Sequence, residues 1–429
     1  MGNAEASRPK RKALCLIIQT NRKDVTEHSM CQPGVIMVKR LLALLAVMVL
    51  VFSVSPVTAL TSGDYTYEIE NGQVTITGYT GKSQNLTIPT MIEKHRVRKI
   101  GRGAFSGNET IRNVKIPSGV TEIGHEAFED CINLTSVTIP KTVKMVGQGA
   151  FWNCINLSNV DIANGVNRIH IDAFGSCNSL KTISSPASAI LDAGVFWGSE
   201  NLEEIIVDPE NKNMASIKGV LFNKKEKTLL CYPQARKDTA YDVPEGIVRI
   251  ESFSFIENRF LERIRIPGSV QEIDVQAFQE CESLQSVSIA YGLKSIDSSA
   301  FVNCIKLKYC FLPNSVTQIG RGAFENCVEL TSMKVPVNVK YIDKDTFFGC
   351  RKLTSVELPE GLESIYEGAF GECYSLENLI IPRNVSHMNS RAFDKGLVLS
   401  VYSGSFAEQY CKERERNYTL LEDTSWLNE

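Results

Sequence analysis

The chain has 429 residues, 43% of them hydrophobic and 22% charged, with a formal charge of −3. That composition supplies a large core for a folded, soluble protein and gives no general basis for nucleic-acid binding, which draws on excess positive charge. The thirteen cysteines are ambiguous until their spacing is read.

The first recognisable segment is a processing signal. Met37-Val-Lys-Arg40 is basic, Leu41 to Val54 is apolar, and Val57-Thr58-Ala59 places small residues at −3 and −1 of a break after Ala59. This is the pattern of a secretory signal peptide over 37–59; the apolar run falls short of the roughly twenty residues a membrane-spanning helix needs. Translation is expected to start at Met37, which makes 1–36 a mis-assigned start or a disordered stretch. No further apolar segment or sorting motif follows, so no integral membrane segment is expected after cleavage. No cysteine sits just after the apolar run, which argues against lipid attachment there. Beyond residue 59 the chain holds 38 Lys/Arg and 46 Asp/Glu, an acidic balance that argues against a nucleic-acid partner.

The next segment, residues 65–89, alternates apolar and polar residues around Asn71-Gly72, a hairpin signal. It predicts an N-terminal β cap within 60–99. A 23-residue period then takes over. Phe105, Phe128, Phe151 and Phe174 are 23 apart, Phe196 follows at 22, and Phe255, Phe278, Phe301, Phe324, Phe347, Phe370 and Phe393 resume at 23. These are twelve repeats: five over 100–207 and seven over 244–397.

Within a repeat, as in Ile123-Gly-His-Glu-Ala127-Phe128-Glu-Asp-Cys131-Ile-Asn-Leu134-Thr-Ser-Val137-Thr-Ile139-Pro140, Val137 and Ile139 alternate with polar residues. That is a short strand with one buried face, and Pro140 ends it. The Ala-Phe segment is too short for a long helix and predicts a turn or brief helical piece on the opposite side. One such unit cannot bury its own apolar face, so the units must stack. At about 4.8 Å per strand, the stack extends on the order of 60 Å. The fold class is a repeat solenoid.

The quoted motif, Ile-x-x-x-Ala-Phe-x-x-Cys-x-x-Leu-x-x-Val-x-Ile-Pro, resembles the BspA-type leucine-rich repeat family over nearly all of 65–410. The resemblance implies a leucine-rich-repeat solenoid and a bacterial surface or secreted protein. Some members resemble adhesins for host matrix proteins or partner cells. The sequons Asn85-Leu-Thr and Asn133-Leu-Thr are then not expected to carry glycans.

Between the two blocks, 208–243 is an insertion. Gly219 to Asn223 and Thr228 to Tyr232 flank the polar Lys224–Lys227, a pattern that reads as a hairpin projecting from the rod or, preferred here, a buttress filling an irregular turn. Residues 398–429 form the expected C-terminal cap, with an amphipathic helix at Lys412–Arg416.

Eight cysteines (131, 154, 177, 281, 304, 327, 350 and 373) lie three residues after the repeat Phe, and Asn108, Ser199 and Asn258 replace them elsewhere. A small residue at one fixed position per turn suits a buried ladder of free thiols better than obligatory disulfides. No Cys-x-x-Cys occurs, so no structural zinc site is expected. The five histidines are scattered, and no His-Glu-x-x-His, Gly-x-Ser-x-Gly or phosphate loop is present. No catalytic residue, metal or cofactor is expected.

The outward strand positions remain. Across repeats 6 to 10 they are Arg263 and Arg265, Ser286 and Ser288, Tyr309 and Phe311, Ser332 and Lys334, Ser355 and Glu357. Cys310 takes the inward slot, which turns Tyr309 and Phe311 outward. Exposed aromatics beside basic residues are typical of interaction hot spots, so Tyr309, Phe311, Arg263, Arg265 and Lys334 are the candidate ligand-binding residues. The expected function is a secreted binding or adhesion protein whose strand face contacts a protein or glycan partner, possible targets being host extracellular matrix or another cell surface. The alternative is a structural spacer without a specific ligand. N-terminal sequencing of protein recovered from culture medium should read from Leu60, and a chain that retains residues 41–54 would overturn the cleavage assignment.

Overall fold

The computed structural model of the protein describes residues 59–422. Residues 1–58, which hold most of the expected signal peptide and the stretch before it, lie outside the described residues, as do 423–429 of the expected C-terminal cap.

Within the repeats the strands pair in parallel. Ser136–Ile139 runs between Asn113–Lys115 and Asn159–Ile162, with Val137 opposite Val114 on one side and Val160 on the other. A 23-residue offset sets like against like, so each inward residue meets its counterpart one turn away. A second column of two-residue strands (Glu122–Ile123, Met145–Val146, Arg168–Ile169 and Ile190–Leu191) pairs in parallel on another side of each turn. The Ala-Phe segments are turns, and the single α-helix among the described residues is Phe406–Glu413.

The twelve repeat phenylalanines are buried and stacked. Phe105 and Phe128 lie 4.8 Å apart with planes 5° from parallel, Phe128 and Phe151 5.2 Å and 1°. Each buried ring contributes about 1.5–3 kcal/mol relative to exposure. The cysteine slot beside this ladder is also a hydrogen-bonding position. Cys131 Sγ donates to the Phe105 carbonyl at 3.1 Å, and Cys304 Sγ to the Phe278 carbonyl at 3.1 Å, each reaching into the preceding turn. Ser199 Oγ does the same to Phe174 at 2.8 Å, and Asn258 Nδ2 reaches the Gln234 carbonyl at 3.2 Å. In these turns the slot holds a small donor, which cysteine, serine and asparagine all supply. The eight thiols are buried and unbridged; burial pushes those of Cys131 and Cys373 up to about 12.

Gly175 has a packing role one position after Phe174. A Cβ there would lie 2.3 Å from the Trp152 ring. Its absence lets Trp152 and Trp197, from the turns on either side, stack at 5.1 Å.

The insertion at 208–243 does not project from the stack. Met214–Ile217, Val220–Asn223 and Thr228–Cys231 form an antiparallel sheet whose last strand joins the parallel array at Arg249–Ile250. Its side chains are buried on both faces. Leu221 and Leu230 pack with the N-terminal core, whereas Val220, Phe222 and Leu229 pack with the C-terminal core. The hairpin is thus a plate set between two stacks, where the sequence reading prefers a buttress filling an irregular turn. Its apolar runs are continuous because both faces are covered. Tyr232, 23 residues before Phe255, stacks on that ring at 4.9 Å and adds a further turn to the twelve. Its hydroxyl reaches Asp238 at 3.2 Å.

At the start of the array, Tyr65–Glu70 and Gln73–Tyr79 pair antiparallel around Asn71-Gly72, both with positive φ. The Tyr79 ring lies 5.3 Å from Phe105, at the head of the aromatic ladder. At the far end, Val398–Tyr402 and Tyr418–Leu421 pair in parallel. The helix between them runs from Phe406 to Glu413, earlier than the expected Lys412–Arg416. Ser405 Oγ accepts from Glu408 N, and Glu408 returns a carboxylate to Gly404 N, which fixes the helix start.

Three carboxyls stack on the second strand column. Glu251, Asp274 and Asp297 follow Ile250, Ile273 and Ile296, which are in register on adjacent strands. Asp274 and Asp297 each accept from the next backbone N–H, at Val275 and Ser298. Burial first, and then the Asp274 charge, raises the Glu251 carboxyl to about 7, with Arg249 opposing the rise.

Two predictions follow from this packing. Cys304→Ala should cost about 1–2 kcal/mol more than Cys304→Ser, because serine keeps the bond to the Phe278 carbonyl; equal denaturant midpoints would mean that packing alone sets the slot. Between the ordinary glutamate value of about 4.3 and 7, folded Glu251 holds a proton that the unfolded chain has lost. Its contribution to stability therefore falls as pH rises through that window. Glu251→Gln should raise the melting temperature at pH 8 by about 2 °C or more and by less at pH 5, as read by calorimetry; the same gain at both values would rule out the titration.

Candidate functional site

Each strand of the wider column presents two outward side chains, and the face changes character along the array. In the N-terminal half it is polar and self-paired. Asn113 Nδ2 donates to Asn85 Oδ1 at 2.7 Å, and Ser136 Oγ donates to Asn113 Oδ1 at 2.5 Å. A shallow depression follows, lined by Ser136, Thr138, Asn159, Asp161, Thr182 and Ser184.

Beyond the insertion the face becomes basic and aromatic. Ala240–Asp242, Arg263–Ile266, Ser286–Ile289 and Tyr309–Phe311 form a four-stranded sheet in that order. Arg263 aligns with Ser286 and Tyr309, and Arg265 with Ser288 and Phe311. Cys310 is buried, while Tyr309 is 58% and Phe311 67% exposed. Aromatic side chains suit a strand surface, but nothing here covers them. Arg263 and Arg265 are also exposed, two strands away.

Lys334 is exposed as well, but its Nζ is 2.5 Å from Glu357 Oε1 on the following strand, so part of its charge is already answered. The five candidate residues thus share the outward side of neighbouring turns, with Arg263, Arg265, Tyr309 and Phe311 in one sheet and Lys334 beyond its last strand.

Sequence reasoning missed three neighbours. Lys308 places its ammonium 5.5 Å from the Tyr309 ring centroid, a cation–π distance. Tyr291, 73% exposed, lies in the turn that ends the Ser286–Ile289 strand, and Val337, 52% exposed, in the turn after Ser332–Lys334. The signal for Tyr291 is the neighbouring Ala290, which stands where most repeats have proline, so that this turn departs from the common pattern.

The histidines do not assemble a reaction centre. His170 Nδ1 lies 3.0 Å from Asp192 Oδ2, whose other oxygen pairs with Arg168, and His125 Nδ1 accepts from Gln148 N. Among the described residues no group of three or more His, Cys, Asp or Glu could hold a metal ion, and no helix is long and apolar enough to cross a membrane. What the geometry offers is an open, rigid surface suited to binding.

Comparison with known proteins agrees with the architecture. The pattern of the BspA type leucine-rich repeat region matches in six copies over residues 82–228, 239–330 and 294–404. The crystal structure of the pneumococcal vaccine antigen PcpA is similar with a TM-score of 0.61 and 17% identity, over 85% of this chain and 99% of that one. A leucine-rich repeat protein from Eubacterium ventriosum gives a TM-score of 0.61 at 25% identity, over 78% of this chain and 94% of that one. No curated protein matches. With the family pattern matched across most of its length and the parallel solenoid it prescribes in place, this chain belongs to the BspA-type leucine-rich repeat family.

Proposed function

We propose that this chain is a secreted or surface-exposed bacterial binding protein that recognises a protein or glycan partner through its strand face. The observation that carries this reading is the exposure of Tyr309 and Phe311, side by side on a rigid sheet whose other outward positions are mostly small or charged. Large aromatics left in water on a rigid support lose little conformational freedom on binding and bury much area. The N-terminal basic, apolar and small-residue pattern and the membership of this family support an extracellular location. Host matrix and the envelope of another cell are the partner classes in view.

Replacing Tyr309 and Phe311 together with serine, the residue found at Ser286 and Ser288, should leave the melting temperature nearly unchanged. Capture of a matrix or envelope ligand retained by the wild-type chain should fall at least tenfold, since each buried aromatic contributes about 1.5–3 kcal/mol. Unchanged capture would move the site away from this patch, the polar depression at Ser136–Ser184 being the next face to test.

A further inference from the structure

Several cations on this protein are answered one turn away. Lys99 pairs with Glu122 at 3.0 Å, Lys340 with Glu363 at 3.2 Å and Lys344 with Glu367 at 2.8 Å, each 23 residues on. At Arg263 and Arg265 that pattern lapses. The residues 23 positions on are Ser286 and Ser288, and neither arginine makes an ion pair among the described residues. Asp242 is in register with Arg265 on the preceding strand and bounds the patch on that side. Two exposed guanidinium groups thus open a path that crosses a row of serine hydroxyls and ends on Tyr309 and Phe311, with Lys308 over the tyrosine ring.

The spacing of this path distinguishes among partners. Neighbouring strands are about 4.8 Å apart, whereas an extended peptide advances about 3.3 Å per residue. A peptide laid across the strands drifts out of step with the columns, and one laid along a strand meets only its two outward side chains. A pyranose in an extended glycan advances by close to one strand spacing, so its units stay in step with successive turns. Guanidinium groups grip carboxylates and sulfates in a bidentate fork, the hydroxyl row suits sugar hydroxyls, and aromatic faces pack on the C–H faces of pyranose rings.

We propose that the face from Arg263 and Arg265 to Tyr309 and Phe311 binds a linear anionic polysaccharide whose chain runs across the strands, one sugar to a turn. This deepens the binding role argued above and rests on it. The anionic group is a sulfate or a uronic-acid carboxylate; both present the charge that two unpaired arginines select.

Binding of the purified chain to immobilised heparin, polygalacturonate, neutral dextran and polyglutamate tests this, at low and at high salt. Heparin or polygalacturonate should bind and dextran should not, and the better of the two anionic glycans identifies the group. Added salt should weaken the complex, as expected where exposed charges contribute. Arg263→Ser with Arg265→Ser should weaken glycan binding at least tenfold and flatten its salt dependence, with the melting temperature unchanged. Tyr309→Ser with Phe311→Ser should weaken it comparably at every salt concentration. Failure of both anionic glycans to bind, equal binding of dextran, or indifference to the arginine pair overturns the proposal. Should polyglutamate bind in their place and require Tyr309 and Phe311, the strand face is a binding site for acidic peptide and only the polysaccharide assignment falls. Undiminished binding in both the arginine and the aromatic variants removes the strand-face role itself.

Discussion

No turn of this solenoid completes its own core; each is finished by the turn beside it. Phe128 is covered on its two sides by Phe105 and Phe151, and Cys131 finds its hydrogen-bond acceptor on Phe105. Two demands meet at this step. The apolar rings must leave water, and the carbonyl of a repeat Phe such as Phe105, which accepts from the backbone N–H three residues on, keeps a second lone pair where water does not reach. A 23-residue period satisfies both at once, since it brings the thiol of one turn under the carbonyl of the turn before. Stability in such an array is approximately a sum over neighbouring interfaces. An error in one slot is therefore felt mainly by the two turns that share it.

The plate formed by 214–232 shows how the period can be interrupted without leaving a hole. A plain gap in the repeat would expose the end rings of both blocks. Here the inserted strands turn Leu221 and Leu230 to one block and Val220, Phe222 and Leu229 to the other, so that each end is capped by apolar side chains. Tyr232 then restarts the ladder in phase, and its hydroxyl escapes toward Asp238, which a phenylalanine would not need. The core contacts divide at this plate, part of its side chains packing with each block.

The features most legible in the sequence are those the period enforces. Phenylalanine, the cysteine slot and the alternation around Val137 recur often enough to be read without coordinates, and the alternation correctly assigned Tyr309 and Phe311 to the outer side with Cys310 within. What escaped reading was local or disguised. Strands of two residues, such as Glu122–Ile123, carry too little pattern to show a period. Tyr232 keeps the 23-residue phase with Phe255, but a tyrosine does not show in a ladder of phenylalanines. The charged Lys412–Arg416 points to a later helix than the capping signal Ser405-Phe-Ala-Glu408, which sets the observed start. Lys308 and Tyr291 joined the candidate patch only in three dimensions, one through the reach of its side chain and the other through a turn that brackets the strand.

The same periodicity that fixes the core frees the outer face. An outward residue has two fixed neighbours, its counterparts one turn before and one turn after, and its cost or gain depends on little else. Where those neighbours are opposite charges, as at Lys334 and Glu357, the face is internally satisfied; exposed pairs of this kind add little stability but leave little net field for a partner. Where the following turn offers serines, as beside Arg263 and Arg265, and the turn before offers Ala240 and Asp242, most of the charge remains available to a partner. The aromatic pair obeys the same rule, since the inward slot between its members is filled by Cys310 whatever stands outside. Recognition can therefore change from turn to turn while the ladder beneath stays constant. The informative positions for function are then those that break the pattern of their own column: two arginines without an acid one turn on, and two large rings in a row of hydroxyls.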